Sequence, residues 1–167
     1  MSSLSLAIRH ELPSDDAAIE RLHSRAFGPG RYARTAFRLR EGGGGHDRDM
    51  SFAAHVGTFL VGSIRQMQVE VAGRPALMLG PLTVDPAFEG RGIGGALMAR
   101  AIGAAREAGH SLILLVGDGP YYARFGFRMV PMGQIALPGP VNPERFLGLE
   151  LVEGALSASR GLVTAKR

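Results

Sequence analysis

Apolar and polar residues alternate over several short stretches of the chain, and turns rich in glycine and proline separate these stretches. Such alternation is typical of strands that are buried on one face, so a first strand is predicted over residues 4–8. Two further strands, 51–56 and 59–71, are rich in β-branched and apolar residues and flank a Gly57-Thr58 turn. Later segments predicted as strands are 126–130, 146–152 and 161–165.

Two segments, residues 76–84 and 112–116, are continuously apolar rather than alternating. Strands that are buried on both faces show this pattern. Between them, residues 93–108 form the clearest helix of the chain, with an apolar stripe along one face and Gly109 at the end. Residues 76–116 are therefore predicted to form a strand–helix–strand crossover within a mixed order of strands and helices.

Helical patterns also occur elsewhere. Ser14 is predicted to cap a first helix, because it precedes two acidic residues that suit a first helical turn. The apolar face of that helix comprises Ile19, Leu22, Ala26 and Phe27. After a Gly28-Pro29-Gly30 stop, a second amphipathic segment over 32–39 runs into the four glycines 42–45, which favour a loop. A short helix is predicted over 121–125.

The composition indicates a single domain over residues 1–167. Hydrophobic residues make up 46% of the chain and charged residues 20%, which suits one compact core. The lack of cysteine excludes disulfides, thiolate metal sites and a cysteine nucleophile. The N-terminus lacks the pattern of a signal peptide, and no segment approaches the roughly 18 apolar residues of a membrane span. A cytoplasmic protein without a membrane partner is therefore expected.

The charge balance is basic, with 19 Lys and Arg against 15 Asp and Glu, a net charge of +4. Such a balance suits a polyanionic ligand, and nucleic acid is one candidate. The basic residues are scattered, however, and are not interleaved with aromatic residues, so no nucleic-acid partner is expected. The 5 histidines show no metal-ligand spacing, and no metal is expected either.

The segment that carries chemical information is 82–97. A buried strand ends there, turns through Asp85-Pro86 and enters a glycine-rich loop at the start of the long helix. Glycines let the backbone approach a ligand closely, and a helix start offers unpaired N–H groups and the positive end of a dipole. These features predict a phosphate site, although a tight turn with close packing is an alternative. The candidate residues are Gly90, Arg91, Gly92, Ile93, Gly94 and Gly95.

The same glycines also match the dinucleotide-binding pattern G-x-G-x-x-G, and Asp118 follows the next strand. Gly90, however, lies six residues beyond Val84, whereas that pattern normally sits directly on the strand–helix turn. About 50 residues remain after Asp118, too few for the further strand–helix units of such a fold. A dinucleotide-binding protein therefore stays a lesser alternative.

Two motifs at a fixed separation resemble those of the GCN5-related N-acetyltransferase (GNAT) family. The family's loop pattern is Gln/Arg-x-x-Gly-x-Gly/Ala, where this chain has Glu89-Gly90-Arg91-Gly92-Ile93-Gly94. The second motif is a tyrosine four residues before Gly-Phe, which Tyr122 and Gly126-Phe127 provide; the run over 117–127 resembles a bacterial branch called YhbS-like. The resemblance covers residues 76–130. It implies an α/β (α+β) fold with a mixed, mostly antiparallel central sheet, a splayed strand pair and flanking helices.

The resemblance implies an N-acetyltransferase with acetyl-CoA, or a close acyl relative, as its co-substrate. The strand ending at Val84 would splay from the strand over 112–116, and backbone groups of Leu82, Thr83 and Val84 would pair with the pantetheine arm and stabilise the oxyanion. Glu89 departs from the family pattern, and a carboxylate repels a pyrophosphate. Glu89 is therefore expected to point away, which leaves Arg91 as the nearer cation.

The resemblance also makes Tyr122 the general acid that protonates the departing thiolate. Four residues are conceivable as the general base, namely Glu70, His55, His46 and Asp118. Asp118 is preferred, because it follows the second core strand at the same sheet edge as the predicted cleft. Since no nucleophile constellation is present, the amine is expected to attack the thioester directly in a ternary complex.

The acceptor has no readable signature, so small-molecule amines and protein amino groups both stay open as partners. By resemblance, segments 17–45 and 133–143 build its pocket. A second hypothesis is a non-catalytic acyl-CoA-binding or regulatory module, which would keep the glycines of 90–95 but need no Tyr122. A late strand over 146–152, if exposed, could pair between the subunits of a homodimer.

Overall fold

The computed structural model describes residues 5–27 and 45–166. The strands are β1 (Leu6–His10), β2 (Phe52–Val56), β3 (Phe59–Val71), β4 (Arg74–Val84), β5 (Leu112–Val116), β6 (Arg128–Met129), β7 (Ile135–Ala136), β8 (Phe146–Glu150) and β9 (Gly161–Ala165). The helices are α1 (Asp16–Phe27), α2 (Ile93–Glu107), α3 (Gly119–Ala123) and α4 (Ala155–Ala158). The predicted helix over 32–39 and the glycines 42–44 lie outside the described residues. No described helix combines the length and the apolar character that crossing a membrane requires.

One sheet of nine strands organises the described residues, with the main order β1-β2-β3-β4-β5-β8-β6. Neighbours in this order are antiparallel except β4 and β5, which are parallel and are connected by α2. The end of β3 also pairs with β9, which in turn pairs with β7. This is the mixed, mostly antiparallel sheet that the resemblance implies. The parallel, doubly wound sheet of a dinucleotide-binding fold is therefore ruled out.

Helix α2 covers one face of the sheet with the apolar stripe that the sequence predicts. Its buried residues are Ile93, Leu97, Met98, Ala101 and Ala105. Gly62 of β3 lies directly beneath this helix, since a Cβ on it would come within 3.0 Å of Leu97 Cδ1 and 3.2 Å of Ile93 Cγ2. Gln66 of the same strand donates from Nε2 to the backbone oxygen of Ala101 at 3.2 Å. Strand β3 therefore holds α2 in place through both close packing and a buried hydrogen bond.

Helix α1 packs against β3 and β4, on the face that α2 leaves uncovered. Ile19 and Leu22 are buried as predicted. Ala26, by contrast, is exposed, and His23 takes a buried position instead. The predicted face included only apolar residues and therefore left out His23. This histidine lies four residues after Ile19 and four before Phe27, so it is on the same buried face of the helix.

The start of α1 differs from the prediction that Ser14 caps it. Ser14 is exposed within a 3-10 turn over Pro13–Asp15, which precedes the helix. Asp15 provides the side-chain cap, because its carboxylate accepts a hydrogen bond from the N–H of Leu12 at 2.8 Å. Arg9 of β1 donates to both oxygens of that carboxylate at 2.7 and 2.9 Å. The cap is thus fixed by an ion pair with the neighbouring strand β1, which the helical pattern of the sequence does not reveal.

In the C-terminal part of the chain the strand over 161–165 occurs as predicted, but the surroundings of β8 and the presence of β7 were not predicted. The strand predicted over 146–152 occurs as β8, which ends at Glu150. It is not exposed, however, because it lies between β5 and β6 and is largely buried, so it offers no free edge for pairing between subunits. Strand β7 has no local signal in the sequence. Gln134 precedes it, and Gln134 Nε2 donates to the backbone oxygens of Leu156 and Ser159 at 2.5 and 3.0 Å. These long-range bonds hold β7 beside β9.

Candidate functional site

Strands β4 and β5 pair over only part of their length. Their parallel ladder joins three residue pairs and ends at Leu79 and Leu115. At the same level the register between β3 and β4 shifts, because Ile64 faces Leu82 while Gln66 faces Leu79. The additional residue lies at Gly80-Pro81, where Gly80 has a φ of 142° and the peptide bond is cis. Beyond this bulge β4 stays paired with β3 but leaves β5, so a gap opens within the sheet.

A cleft of about 940 Å³ occupies this gap and extends to the start of α2. Of the predicted site residues, those that line it are Leu82, Val84, Gly90, Gly92, Ile93, Gly94, Gly95, Asp118 and Tyr122. Thr83 and Arg91 are not among the lining residues. The cleft therefore brings the glycine-rich loop and Tyr122, which are separated by about 30 residues in the sequence, to opposite walls of one space.

The glycine-rich loop has the backbone conformation of an anion site. Gly90 and Gly92 have φ values of 77° and 79°, in the left-handed region that favours glycine. Gly92 caps α2, and the first backbone bond of the helix runs from Ala96 N–H to Gly92 O at 3.0 Å. A Cβ on Gly90, Gly92 or Gly95 would meet no atom within 4 Å. The N–H groups of the first helical turn are therefore open to a ligand of negative charge.

The two charged side chains of this loop are placed in the reverse of the expected arrangement. Glu89 is among the residues that line the cleft, whereas Arg91 is not. The guanidinium of Arg91 lies over the ring of Phe88, 5.2 Å from its centroid. This cation–π contact gives Arg91 a local partner on the protein itself. The groups that this loop offers to an anion are consequently backbone N–H groups rather than an arginine side chain.

Tyr122 is held against the end of β5 by close packing. A Cβ on Gly117 would come within 2.4 Å of Tyr122 Cε2, so only glycine leaves room for this ring. The ring meets Phe127 edge to face at 5.9 Å, and the Tyr122 carbonyl accepts hydrogen bonds from the N–H groups of Phe125 and Phe127 at 3.0 and 3.3 Å. The Gly-Phe motif therefore fixes the tyrosine that precedes it by four residues.

Asp118, the predicted base, also lies at the cleft and is exposed. Its Oδ2 accepts a hydrogen bond from the N–H of Tyr121 at 3.2 Å, so the residue caps α3. One carboxylate oxygen thus has a structural task. The second oxygen is available to other partners at the cleft wall.

The other three candidate bases do not line the cleft. Glu70 lies on β3 opposite Pro75 and Thr164. His46 makes a short contact with Glu11. His55 Nε2 is 3.4 Å from Arg9 Nη2, and burial lowers the pKa of His55, with a further contribution from the Arg9 charge. His46 and His55 therefore belong to a polar cluster beside β1 and α1, whereas Glu70 lies near the end of β3 that pairs with β9.

Several residues that line the cleft were not predicted as donor-site residues, among them Phe27, Tyr121, Arg124 and Arg145. Phe27 ends α1, and His23 lies behind it with a ring-centroid distance of 6.0 Å. Since Arg25 donates to Asp85 at 3.2 Å, the end of α1 lies beside the end of β4. The spacing of His23 and Phe27 on α1 is a sequence signal that could have pointed to this wall.

Three potential metal ligands, Glu11, Asp16 and His46, have donor atoms within 4.8 Å of one another. The same carboxylates already bind two arginines. Arg48 donates to Glu11 at 2.9 Å and to Asp16 at 3.0 and 2.9 Å, and Arg65 donates to Glu11 at 2.6 Å. These guanidinium groups supply the positive charge that a cation would bring, so the carboxylates form an ion-pair network with the two arginines.

Known proteins are similar to this chain in both sequence and structure. A family model for the acetyltransferase (GNAT) domain matches residues 49–129. The Escherichia coli (strain K12) protein named uncharacterized N-acetyltransferase YhbS is 27% identical over 164 residues, with 95% of each chain covered. The crystal structure of E. coli YhbS in complex with CoA gives a TM-score of 0.81 at 25% identity, covering 99% of this chain and 92% of that chain. A GNAT family acetyltransferase from Brucella melitensis, in complex with acetyl-CoA, is 30% identical with a TM-score of 0.61, covering 86% of this chain and 94% of that chain. The chain therefore belongs to the GCN5-related N-acetyltransferase (GNAT) family.

Proposed function

We propose that this chain transfers an acetyl group from acetyl-CoA to an amine acceptor, either a small molecule or a protein amino group, and that residues 1–167 form one acyltransferase domain. The observation that carries the proposal is the gap between β4 and β5 beyond Leu79 and Leu115, which leads to the open glycine-rich start of α2. The relatives from E. coli and B. melitensis crystallised with CoA and acetyl-CoA support the same donor.

The residues of the cleft suit a donor that has a diphosphate and an extended amide-bearing arm. The first turn of α2 offers N–H groups to the diphosphate. Beyond the bulge, Leu82, Thr83 and Val84 pair with β3 on one edge only. Because backbone groups of successive strand residues point to alternate edges, the open edge presents hydrogen-bonding groups to the arm. Of these three residues, Leu82 and Val84 line the cleft and Thr83 does not, so the predicted contact of Thr83 with the arm has no support from the cleft lining.

In the proposed reaction the nitrogen of the neutral acceptor amine forms a bond to the acetyl carbon, the carbon–sulfur bond breaks, and the nitrogen gives its extra proton to a base. The departing thiolate takes a proton from the Tyr122 hydroxyl, and the resulting tyrosinate regains a proton from solvent. Positioned general acids contribute roughly 10²–10⁴-fold to a rate. Tyr122→Phe should therefore lower kcat by about this factor while leaving the binding of acetyl-CoA intact, because the ring contacts with Gly117 and Phe127 are kept.

Asp118 is proposed as the base because it lies at the cleft. Two substitutions separate this role from the cap of α3. Asparagine caps helices about as well as aspartate, whereas alanine costs about 1 kcal/mol. If Asp118 is the base, Asp118→Asn loses turnover with unchanged stability. If Asp118 only caps the helix, Asp118→Asn retains full turnover and only Asp118→Ala is impaired.

Calorimetry with acetyl-CoA tests the donor site directly. Gly92→Asp places a negative charge and a strained side chain in the anion site. Gly73→Asp is the matched control, since Gly73 has a φ of 88°, also has open space around a Cβ, and lies at the opposite end of β4. We expect micromolar binding by the native protein and by Gly73→Asp, and loss of binding in Gly92→Asp. Absence of binding by the native protein at low salt would overturn the proposal.

Turnover is then measured as release of free CoA across a panel of amines. An acceptor that gives turnover in the native protein, with the kcat loss in Tyr122→Phe described above, would support the enzyme. Tight donor binding without turnover on any small amine or amino-terminal peptide would favour the non-catalytic binding module instead.

A further inference from the structure

The side chain of Tyr121 crosses the cleft from α3 to the first turn of α2. Its hydroxyl oxygen lies 2.9 Å from the place that a Cβ on Gly94 would occupy, and Val84 Cγ2 lies 3.8 Å from the same place. The hydroxyl thus reaches the helical turn whose N–H groups form the anion site. Gly94 is not in a left-handed conformation. Its lack of a side chain is required here by space, because any larger residue would collide with Tyr121.

The orientation of the Tyr121 ring is fixed from three sides. The Arg124 guanidinium lies over the ring at 4.4 Å from its centroid. Tyr122 meets the ring edge to face at 4.9 Å, and Phe125 meets it at 5.7 Å. The Tyr121 backbone is held as well, since its N–H donates to Asp118 and its carbonyl accepts from Arg124 Nε at 3.3 Å. These contacts pre-organise the hydroxyl beside α2 without using the hydroxyl itself.

Within residues 5–27 and 45–166 the Tyr121 hydroxyl has no hydrogen-bond partner. A phenol can donate one hydrogen bond and accept others. It lies on a cleft wall, between backbone N–H groups that attract an anion and the nearby guanidinium of Arg124. The bound species that satisfies both the N–H groups and the O–H donor is an oxyanion that reaches across the cleft.

We propose that Tyr121 is a donor-binding residue, and that its O–H donates to a diphosphate oxygen of the CoA moiety held by the first turn of α2. The inference rests on the proposed function and assigns to it a side-chain contact from the opposite wall. It also explains why the anion site needs no loop arginine, since Arg91 lies on Phe88. Tyr121 and Gly94 act as a pair, because the phenol reaches its position only when residue 94 has no side chain.

A double-mutant cycle tests this pair, with CoA as the ligand and its Kd measured by calorimetry. Tyr121→Phe keeps the ring and its contacts but removes the donor, so CoA binding should weaken roughly tenfold, as for loss of a charge-assisted hydrogen bond. Gly94→Ala should weaken binding by at least as much, because its methyl displaces the phenol. In the Tyr121→Phe background the colliding oxygen is absent, so Gly94→Ala should then raise the Kd for CoA less than about threefold.

Gly103→Ala is the matched control for the Gly94→Ala change. Gly103 lies in the same helix, and a Cβ on it would meet no atom within 4 Å, so it reports the effect of alanine on helix stability alone. CoA binding should be unchanged in this control. Thermal melting of each variant without ligand identifies any variant that fails to fold, and Tyr121→Phe alone then tests the hydrogen bond.

Two results would overturn the inference while leaving the proposed function standing. One is native-like CoA binding by Tyr121→Phe, within about twofold, which would show that the hydroxyl donates to nothing. The other is an equal cost of Gly94→Ala in both backgrounds, which would show that the two residues do not interact. Absence of CoA binding by the native protein would instead overturn the proposed function itself.

Discussion

Replacement of Glu11 should test the largest buried ionic network in the described residues. The Glu11 side chain is fully buried and accepts hydrogen bonds from Arg65 Nε at 2.6 Å and Arg48 Nη1 at 2.9 Å, as well as a short contact from His46. Burial alone raises the pKa of Glu11, but the hydrogen bonds and charges of His46 and Arg65 outweigh that effect, so its pKa lies below the ordinary value. The network ties the end of β1 to β3 and to the segment that leads into β2.

The expected cost follows from the partners that Glu11 leaves behind. Removing one partner of a buried pair typically costs about 3–5 kcal/mol. Asp16 keeps Arg48 paired through two bonds at 3.0 and 2.9 Å. For Glu11→Ala we therefore expect a loss of stability at the lower end of this range, about 3 kcal/mol. Glu11→Gln retains one acceptor oxygen but places an amide against donors, so we expect a loss of about 2–3 kcal/mol. For a chain of this size that corresponds to a Tm lower by roughly 5–10 °C.

Urea unfolding at pH 7 measures this loss, and Glu153→Gln, at an exposed glutamate, is the matched control. Because the folded pKa of Glu11 is lowered, its contribution is present above the unfolded pKa of about 4.3 and is lost as the pH falls through the folded value. The difference in unfolding free energy between the native protein and Glu11→Gln should therefore become small in acid. The lowered pKa of Asp15 depends on Arg9, which does not contact Glu11, so its contribution acts in both proteins and cancels. A loss no larger than the control, or a difference that does not narrow as the pH falls below the unfolded pKa of about 4.3, would refute the reasoning.

Further substitutions test packing and buried polar groups. Gly62→Ala places a Cβ 3.0 Å from Leu97 Cδ1, so urea unfolding should show a loss of about 1–3 kcal/mol, and acetyl-CoA binding should weaken as α2 shifts. Thr83→Val removes a buried hydroxyl that has no partner in the described part of the chain, so stability should stay within about 1 kcal/mol or rise; a larger loss would indicate a bound water. Gln134→Leu leaves two buried carbonyls without their donor and should cost about 1–3 kcal/mol, with hydrogen exchange at β7 and β9 increasing first.

The elements with a strong local pattern could be predicted from the sequence. The turn at Gly57-Thr58 and the second of its flanking strands occur as predicted, and α2 begins at Ile93 as its stripe indicates. These elements carry their information in residues close together in the chain. Strand β7 and the cap of α1 have no such local pattern. Gln134 stabilises β7 through partners that are distant in the sequence, and Arg9 stabilises the cap from another element, β1.

The candidate site divides in the same way. The glycine-rich loop and the Gly-Phe motif are local patterns, so the sequence could predict that Gly92 and Tyr122 share one cleft. The proposed role of Tyr121 is not visible in any local pattern, since it depends on the space above Gly94 on another helix. The opposite placements of Glu89 and Arg91 also depend on a contact, the Phe88 ring, that charge considerations alone do not include.

The two walls of the cleft belong to parts of the sheet that are joined by few strand contacts. One wall is fixed to β3 through Gly62 and the Gln66–Ala101 bond, and the other follows β5, which is paired with β8. In the described residues the ladder between these two halves consists of the three β4–β5 pairs that end at Leu79 and Leu115. At one end of the cleft, this short ladder therefore sets the distance between the start of α2 and Tyr122. Tyr121, which spans from α3 to Gly94, is positioned to set it at the other end, so a ligand that engages both walls should also stabilise the sheet across the gap.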